Sequence, residues 1–288
     1  MLSKHERTNV LIEALPYIKR SLGHIIVVKY GGSVMLNDSL KQNVVDDIIF
    51  FSCIGLYPIL VHGGGSKINF WLSKLHIEPI FRNGIRITNN VTMEVVEMVL
   101  TGKINKELVT LININGGNAV GLSGKDGSLI LSQPLDIEKM GFVGNIVNVN
   151  TKILSLLISN FYIPVIASIG YDQHGQTYNI NADLLASRIA VALNAEKLIF
   201  LTDMPGILLD INNLATVIQT LDVNEASQLE KKGIISGGMI PKVHSCVNAL
   251  KHGVAFAYVI DGRVPHALLS TVLTKNYYGS MLLSRKTR

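Results

Sequence analysis

Apolar positions follow two different periods, which alternate along the chain. Continuous β-branched and apolar runs, typical of strands buried on both faces, occur at 24–30, 57–61, 164–169, 197–202 and 255–260. Helical spacing of apolar residues lies between most of them, at 40–54, 66–75, 91–113, 181–194, 222–232 and 239–251. This alternation predicts an α/β fold: one unit with two lobes, built on a mostly parallel sheet with helices on both faces.

Two stretches bounded by glycine interrupt the alternation, at 121–131 and 141–150. Their apolar and polar residues partly alternate with a period of two, which is typical of exposed strands. We therefore expect two β-hairpins over one end of the sheet.

The first 22 residues have the pattern of an amphipathic helix. Leu11, Leu15, Ile18 and Leu22 fall on one face, and Pro16 should kink the helix. This face can pack on its own domain or on another subunit, and the pattern does not distinguish the two.

Composition and charge limit the classes of protein to which this chain can belong. Hydrophobic residues make up 48% of the chain and charged residues 16%, so a large core is expected and wholesale disorder is not. The net charge of +5 is dispersed, which favours anionic small molecules over nucleic acid. No apolar run has the length of a membrane span, and the first residues lack the features of a signal or transit peptide. Cys53 and Cys246 are expected to be buried thiols in a reducing compartment.

Glycine-rich turns follow two of the predicted strands. "VVKYGGS" (27–33) ends a strand with Lys29 and two glycines, and "ILVHGGGSKIN" (59–69) runs from three glycines into a helical pattern. Backbone N–H groups at a helix N-terminus can hold an anion, and glycine lets a phosphate approach them. A tight structural turn also explains one such sequence, but two turns after two strands favour a phosphate site.

Other phosphate and metal signatures are absent from the sequence. There is no GxxxxGK[ST], no GxGxxG after a strand, no HRD or DFG, and no HExxH. The eight histidines are scattered, which gives a zinc site little support. Phosphate must therefore be handled by backbone amides and isolated lysines.

Five further polar positions are candidates for the same site, and structural alternatives exist for them. Lys242 follows Gly-Gly in "SGGMIPKV", and is either a ligand or an ordinary exposed lysine. Asn179, Asn181 and Asp183 lie at a strand-to-helix junction, where Asn181 or Asp183 could simply cap the helix. Arg86 follows a glycine turn, where it could bind a carboxylate or face solvent.

Taken together, these segments resemble the amino acid kinase family. The resemblance covers the whole chain through "KYGGS", "VHGGGSKIN", "NGIRIT", "GLSGKDG", "GFVGNIVNVN", "NINADLLASRIA", "LTDMPGI", "GGMIPKV" and "DGRVPHALL". The segments "NGIRIT" and "NINAD" resemble the members that act on N-acetyl-L-glutamate. The family's three-layer αβα sandwich is implied. Residues 1–22 would form a helical extension, 23–175 an N lobe for the amino acid, and 176–288 a C lobe for the nucleotide.

The resemblance also implies an activity and a set of roles. ATP, arriving with Mg²⁺, would phosphorylate the side-chain carboxylate of N-acetylglutamate in arginine biosynthesis, without a tightly bound cofactor or a metal held by the protein. The acceptor is already an anion, so no general base is needed. Lys29 and Lys242 would stabilise the transition state, and Asp183 would orient them. The implied binding residues are, for the acceptor, Gly64, Gly65, Arg86 and Asn179; for phosphates, Gly31, Gly32 and Gly63; and for the nucleotide, Thr202, Asp203, Gly206, Gly237 and Gly238.

Regulation is implied by the N-terminal segment "NVLIEALPYIK" (9–19). It resembles the extra helix of arginine-inhibited members that form hexamers as trimers of dimers, with Tyr17 near the arginine site. Tyr258 and Thr271 stand where such relatives commonly carry His and Glu, so weaker inhibition is expected. Photosynthetic relatives also bind the PII signalling protein. The compartment implied is a bacterial cytoplasm, or the plastid stroma if a plastid encodes the gene.

Two other functions are compatible with these motifs. One is a sibling kinase of the same fold with another carboxylate acceptor, such as glutamate or aspartate. The other is a non-catalytic homologue that senses arginine or binds PII, although such a protein has no chemical need to retain Lys29, Lys242 and Asp183 together.

Overall fold

The computed structural model describes residues 3–82, 84–274 and 277–285. Within them the strands are β1 (Ile25–Tyr30), β2 (Tyr57–His62), β3 (Phe81–Arg82), β4 (Ile85–Arg86), β5 (Ala119–Leu122), β6 (Ile130–Pro134), β7 (Val143–Val149), β8 (Ile163–Ala167), β9 (Ile169–Tyr171), β10 (Thr177–Ile180), β11 (Lys197–Thr202), β12 (Thr220–Asp222), β13 (Phe256–Asp261) and β14 (Gly279–Leu283). The α-helices are α1 (Lys4–Ser21), α2 (Asp38–Cys53), α3 (Gly65–Lys74), α4 (Asn90–Glu97), α5 (Asn105–Ile114), α6 (Ile137–Met140), α7 (Lys152–Ser159), α8 (Ala182–Ala192), α9 (Val223–Lys231), α10 (Met239–Lys251) and α11 (Ala267–Leu273). A π-helix, Met98–Ile104, joins α4 to α5.

Eight of these strands form one sheet in the order β12-β14-β13-β11-β1-β2-β8-β5. All its neighbours run parallel except β13 and β14, which pair antiparallel. The five runs predicted as strands and the six segments predicted as helices are all found in these elements, with ends that differ by a few residues. The predicted mostly parallel α/β fold is therefore confirmed.

The two faces of the sheet bury separate apolar clusters, as side chains alternate along each strand. On β1, Ile26 and Val28 face one cluster, which α2, α3, α5 and α11 complete. Val27 faces the other cluster, which α7, α8 and α10 complete. Helices thus cover both faces, as predicted. Because the strands β1, β2, β8 and β11 are parallel, their carboxyl ends meet at one edge, where ligands bind in such sheets.

The two predicted hairpins do not form within their own segments. Residues 119–122 are β5, which pairs parallel with β8 at the edge of the large sheet. The antiparallel pair is instead made by β6 with β7, and with β9 and β10 it closes a separate four-stranded sheet. The hairpin prediction for 121–131 is wrong because a strand's partner across the sheet leaves no trace in local alternation.

Helix α1 begins with a capping box, in which Ser3 Oγ accepts from the Glu6 N–H and the Glu6 carboxylate accepts from the Ser3 N–H. Tyr17 and Ile18 pack against the core, whereas Leu15 and Leu22 are 41% and 59% exposed. The side chain of Leu11 lies outside the described residues. Much of the predicted apolar face is therefore uncovered by this chain.

Two other sequence predictions concern burial. Cys246 is buried as predicted, but Cys53 is exposed at the end of α2, so its prediction was wrong. Among the helices described, none has both the length and the apolar composition needed to cross a membrane.

Candidate active site

The centre of the candidate site is a carboxylate held between two ammonium groups. Lys29 lies near the carboxyl end of β1, Asp183 in the first turn of α8, and Lys242 in the first turn of α10. Lys29 Nζ lies 2.9 Å from Asp183 Oδ1, and Lys242 Nζ donates to Asp183 Oδ2 at 2.7 Å. Two ammoniums and one carboxylate leave one positive charge, which favours an anionic ligand.

The ionisation of Asp183 follows from this arrangement. Burial of its side chain favours the neutral acid, but the ammoniums of Lys29 and Lys242 outweigh this and hold the pKa of Asp183 below its usual value. Asp183 is 5% exposed, so its charge is compensated by the two lysines rather than by water. It is thus a fixed anion and a poor candidate for a base.

Asn181 resolves one of the alternatives left open by the sequence. Its Oδ1 accepts from the N–H groups of Asp183 and Leu184, at 2.8 and 3.1 Å, and so caps α8. The cap leaves the carboxylate of Asp183 free to bind the lysines.

The first glycine pair makes room for Lys29. Gly31 is extended, and a Cβ there would lie 2.7 Å from Lys29 Nζ. Gly32 has a φ of 73°, in the left-handed region that favours glycine, and begins the 3₁₀ turn Gly32–Leu36. Substitution at either position would displace the ammonium or strain the turn.

The second glycine group forms the N-terminus of α3. Gly64 precedes the helix and Gly65 is its first residue, so their N–H groups have no acceptor within the helix. A Cβ on Gly64 would overlap the side chains of Ile104 and Leu100. Close packing therefore requires glycine at 64, whereas a Cβ on Gly65 would meet no atom within 4 Å.

These glycines line a cavity of about 320 Å³ between the carboxyl ends of β1 and β2 and the β3–β4 hairpin. Its lining includes Lys29, Arg86 and Asn179, together with Gly31, Gly32 and Gly63–Gly65. Among the described residues that line it there is no carboxylate. The cavity is therefore suited to a ligand that carries negative charge.

Arg86 is 6% exposed, which excludes the solvated surface group that the sequence left possible. Its Nη2 donates to Gly65 O at 3.3 Å, and its guanidinium lies 4.7 Å from the ring centre of Phe81. Its Nη1 is buried and has no hydrogen-bond partner in the protein. A buried guanidinium nitrogen without a partner indicates an anionic ligand at this position.

Asn179 lies on β10 and lines the same cavity. Its Nδ2 donates to Thr88 Oγ1 at 3.2 Å, which fixes the orientation of the amide. Ser168 and Phe81 are among the residues that line the cavity and were not identified from the sequence. Ser168 follows β8, so its position at a strand's carboxyl end was the signal that could have identified it.

A second cavity, of about 360 Å³, lies on the other side of Asp183. Its lining contains all five residues expected at the nucleotide, namely Thr202, Asp203, Gly206, Gly237 and Gly238, and also Lys242. Gly237 has a φ of 53° just before α10, so its turn requires glycine. Lys29 lines the first cavity and Lys242 lines the second. The carboxylate of Asp183 contacts both ammonium groups.

A third cavity, of about 240 Å³, lies away from this site, at the opposite edge of the sheet. Tyr17, Tyr258 and Thr271 line it with Arg20, Glu196 and Lys197. Glu196 already pairs with Lys197 at 2.6 Å. The side chain of Thr271 is uncharged, and its hydroxyl donates to Ala267 O. The structure thus brings together the three residues that the sequence linked to regulation.

The described residues contain no cluster of three or more His, Cys, Asp or Glu side chains that could hold a metal ion. Asp203 lines the second cavity, with its Oδ2 4.0 Å from the position of a Cβ on Gly32. A divalent ion at this place would therefore need other ligands, such as the phosphates of a nucleotide.

Known proteins resemble this chain over nearly its whole length. The acetylglutamate kinase of Thermosynechococcus vestitus is 55% identical, covering 98% of this chain and 96% of that protein. The acetylglutamate kinase of Pyropia yezoensis is also 55% identical, covering 98% of this chain and 100% of that protein. The solved structure of N-acetylglutamate synthase from Neisseria gonorrhoeae, with coenzyme A and N-acetyl-glutamate, shares the fold with a TM-score of 0.85 at 23% identity, covering 96% of this chain and 63% of that one. The sequence model of the amino acid kinase family matches residues 24–261. This chain therefore belongs to the amino acid kinase family.

Proposed function

We propose that the protein transfers the γ-phosphoryl group of ATP to the side-chain carboxylate of N-acetyl-L-glutamate, giving N-acetyl-L-glutamyl 5-phosphate in arginine biosynthesis. The observation that carries this proposal is the pair of cavities joined by Lys29, Asp183 and Lys242. Each cavity is lined by one of the two lysines, and both lysines contact the carboxylate of Asp183. Relatives that match this chain over at least 96% of their own length are named for this activity.

The proposed reaction is a direct displacement. An oxygen of the acceptor carboxylate bonds to the γ-phosphorus, the bond to the oxygen that bridges to the β-phosphate breaks, and its electron pair leaves with ADP. No proton is transferred in this step, so no general base is needed, and the ionised Asp183 is not assigned that role. The difficulty is the approach of two anions, and fixed ammoniums on both sides offset their repulsion as charge spreads over the transferred group.

Acceptor binding follows from the first cavity. Arg86 holds the α-carboxylate through its free Nη1, while the N–H groups of Gly64 and Gly65 and the amide of Asn179 complete the pocket. A free α-ammonium would find no counter-ion among the residues that line the cavity, whereas a neutral acetamido group needs none. This favours N-acetylglutamate over glutamate. The acceptor lobe would comprise residues 23–175.

ATP occupies the second cavity, in a C lobe of residues 176–288. Thr202, Asp203 and Gly206 contact the nucleoside part, and the backbone of Gly237 and Gly238 approaches the phosphates. Gly31, Gly32 and Gly63 receive the γ-phosphoryl group beside Lys29. Mg²⁺ enters with ATP as part of the substrate and neutralises charge on the β- and γ-phosphates.

A coupled assay of ADP formation tests the choice of acceptor. We expect kcat/KM with N-acetyl-L-glutamate to exceed that with L-glutamate or L-aspartate by at least about a hundredfold, because the unacylated amino acids bring an unpaired ammonium. Comparable rates with glutamate would identify a sibling kinase instead. No ADP formation with any of the three would favour a non-catalytic homologue.

We also propose that the third cavity binds L-arginine as an inhibitor. Tyr17, Tyr258 and Glu196 line a space of suitable size. Glu196 already pairs with Lys197 and lies 2.9 Å from His24 Nδ1, and Thr271 provides no second carboxylate. Inhibition is therefore expected to be weaker than in relatives with Glu at the matching position.

The exposed apolar side chains of α1 support a homohexamer built as a trimer of dimers, with α1 helices interlaced between dimers. Leu15 and the C-cap residue Leu22, both on the predicted apolar face, are 41% and 59% exposed, and Val10 and Ile12 on other sides of the helix are also exposed. An isolated apolar helix face of this kind is favourable only when another surface covers it. PII binding rests on the family resemblance alone, and the location would be a bacterial cytoplasm or plastid stroma. The similarity to a red algal protein supports the plastid alternative.

Deletion of residues 1–20 should reduce the hexamer to dimers and weaken arginine inhibition, because both the apolar face and Tyr17 are removed. Activity without arginine should remain, since no residue of α1 lines the first two cavities. Light scattering measures the assembly, and an arginine titration of the assay measures inhibition.

The variant Leu15→Glu separates the two effects. It charges the exposed face of α1 but keeps Tyr17, so it should disrupt hexamers without removing the side chain that lines the cavity. A truncated protein that remains hexameric contradicts the assembly proposal. Undiminished inhibition after truncation contradicts the role of Tyr17.

A further inference from the structure

Two buried polar residues lie directly behind the acceptor cavity without lining it. His62 is the last residue of β2, immediately before Gly63, and is completely buried. Asn105 is the first residue of α5 and is 1% exposed. Neither takes part in the proposed reaction, and a buried polar pair of this kind needs a reason.

The chemistry of the neighbours fixes the direction of every hydrogen bond. Asn105 Nδ2 lies 2.8 Å from Val165 O and 3.4 Å from Leu122 O, and a carbonyl can only accept, so the nitrogen is the donor. Asn105 Nδ2 also lies 3.1 Å from His62 Nε2, which must therefore accept. His62 Nδ1 lies 3.1 Å from Gly63 O and must donate. The result is a neutral imidazole with its proton on Nδ1.

The ring keeps this state at neutral pH. Burial lowers the pKa of His62 to about 4, and this effect outweighs the opposing contribution of the Gly63 carbonyl. The donors and acceptors of His62 therefore do not change over the range in which a biosynthetic kinase works.

Fixing the Gly63 carbonyl also fixes the next N–H group. In a trans peptide the carbonyl of one residue and the N–H of the next point in opposite directions, and the described residues contain no cis peptide bond. With the Gly63 carbonyl held toward His62, the N–H of Gly64 is directed to the opposite side of the peptide. Gly64 lines the acceptor cavity, so the orientation of this peptide matters to its ligand.

The π-helix before Asn105 contacts the same peptide from another side. The side chains of Leu100 and Ile104 fill the space that a Cβ on Gly64 would occupy. Helices of this type carry one extra residue per turn and are frequent at functional sites. Here the π-helix brings Leu100 and Ile104 against Gly64 while Asn105 reaches His62.

Accommodating the side chain of Asn105 requires a glycine in β5 and leaves a buried oxygen without a partner, which costs free energy of folding. A Cβ on Gly121 would lie 3.0 Å from Asn105 Cγ, so the strand β5 accommodates the amide only with glycine there. Asn105 Oδ1 is buried without a hydrogen-bond partner, which is unfavourable for folding. An apolar residue would avoid this cost, so the amide nitrogen is the part that is needed.

We propose that His62 and Asn105 are positioning residues, which hold the Gly63–Gly64 peptide in the orientation that binds the acceptor. The inference rests on the proposed function, since it assigns Gly64 to the acceptor. It predicts that loss of the Asn105–His62 or the His62–Gly63 hydrogen bond weakens acceptor binding and does not change nucleotide binding.

The variant Asn105→Asp tests this with the smallest change in shape. The carboxylate cannot donate to Val165 O or to His62 Nε2, so the orientation of the peptide is no longer fixed. We expect the KM for N-acetylglutamate to rise by about tenfold, with the KM for ATP within about twofold of the parent. His62→Phe, which keeps a buried ring without hydrogen bonds, should have the same effect.

Asn113→Asp is the matched control. Asn113 lies on the same helix, where its Nδ2 donates to Ala119 O and its Oδ1 accepts from Ala119 N. The change removes a comparable hydrogen bond that does not lead to the glycines, so it should lower Tm without changing either KM. An acceptor KM at the parental value in folded Asn105→Asp and His62→Phe would overturn the proposal. So would an equal rise in Asn113→Asp.

A measurement on the unchanged protein covers the case in which the variants do not fold. The ¹⁵N chemical shifts of the His62 ring should show a proton on Nδ1 and none on Nε2 at pH 7. A proton on Nε2 would overturn the proposal. If the parent uses another carboxylate acceptor, the same KM comparison is made with that acceptor, so failure of the proposed substrate and failure of the positioning role give different results.

Discussion

Replacement of Lys242 or Lys29 by alanine is expected to lower kcat by about a hundredfold or more, because each ammonium offsets charge that develops during phosphoryl transfer. The KM values should change much less, since glycine N–H groups and Arg86 remain to bind the ground state. Steady-state kinetics with both substrates varied would separate the two parameters. The loss in kcat should be similar for the two lysines, as both hold the same carboxylate of Asp183.

Lys125→Ala is a suitable control for these variants. Lys125 pairs with Glu97 at 2.6 Å and belongs to the "SGKDG" segment, away from both cavities. Its removal should leave kcat unchanged. A near-normal kcat in Lys29→Ala or Lys242→Ala would contradict the assigned role. Lys29 is only 8% exposed, so thermal melts are needed to show that its variant is folded.

Replacement of Arg86 by alanine is expected to raise the KM for N-acetylglutamate by about a hundredfold with a smaller change in kcat, because the α-carboxylate that it binds keeps its charge throughout the reaction. Arg86→Lys should recover only part of the affinity. A lysine cannot make the bidentate contact, and it would lose the stacking of the guanidinium on Phe81.

Arg82→Ala is the corresponding control. Arg82 lies on the same two-stranded hairpin but is exposed, and it does not line the cavity. Its removal should leave the KM for the acceptor unchanged. If Arg86→Ala instead kept its KM and lost kcat, Arg86 would act on the transferred group and its placement at the α-carboxylate would be wrong.

The sequence predicted the large sheet well because its strands are signalled locally. The runs at 24–30, 57–61 and 197–202 are each mainly apolar at successive positions, with polar residues near their ends, and burial on both faces favours that composition. The strand β14 and the pairing of β5 with β8 were not predicted. Their signals are short, and they pair with strands that are not adjacent in sequence, β14 with β12 and β5 with β8.

The site was predictable where several motifs converge, and less so where one residue stands alone. The glycine turns and Lys29 were identified from their place after strands, whereas the roles of Asp183 and Lys242 came from the family resemblance. The alternatives for Arg86 were resolved only by its burial. Neither His62 nor Asn105 was identified, because a neutral buried hydrogen bond depends on contacts between distant segments.

The chemistry itself can be tested by trapping the product. An acyl phosphate reacts with hydroxylamine to give a hydroxamate, whereas the hydrolysis of ATP yields none. With N-acetyl-L-glutamate, ATP and hydroxylamine, we expect one hydroxamate for each ADP formed, and loss of both in Lys242→Ala. Formation of ADP without hydroxamate, or equal hydroxamate with L-glutamate in place of N-acetyl-L-glutamate, would contradict the proposed transfer to the side-chain carboxylate of N-acetylglutamate.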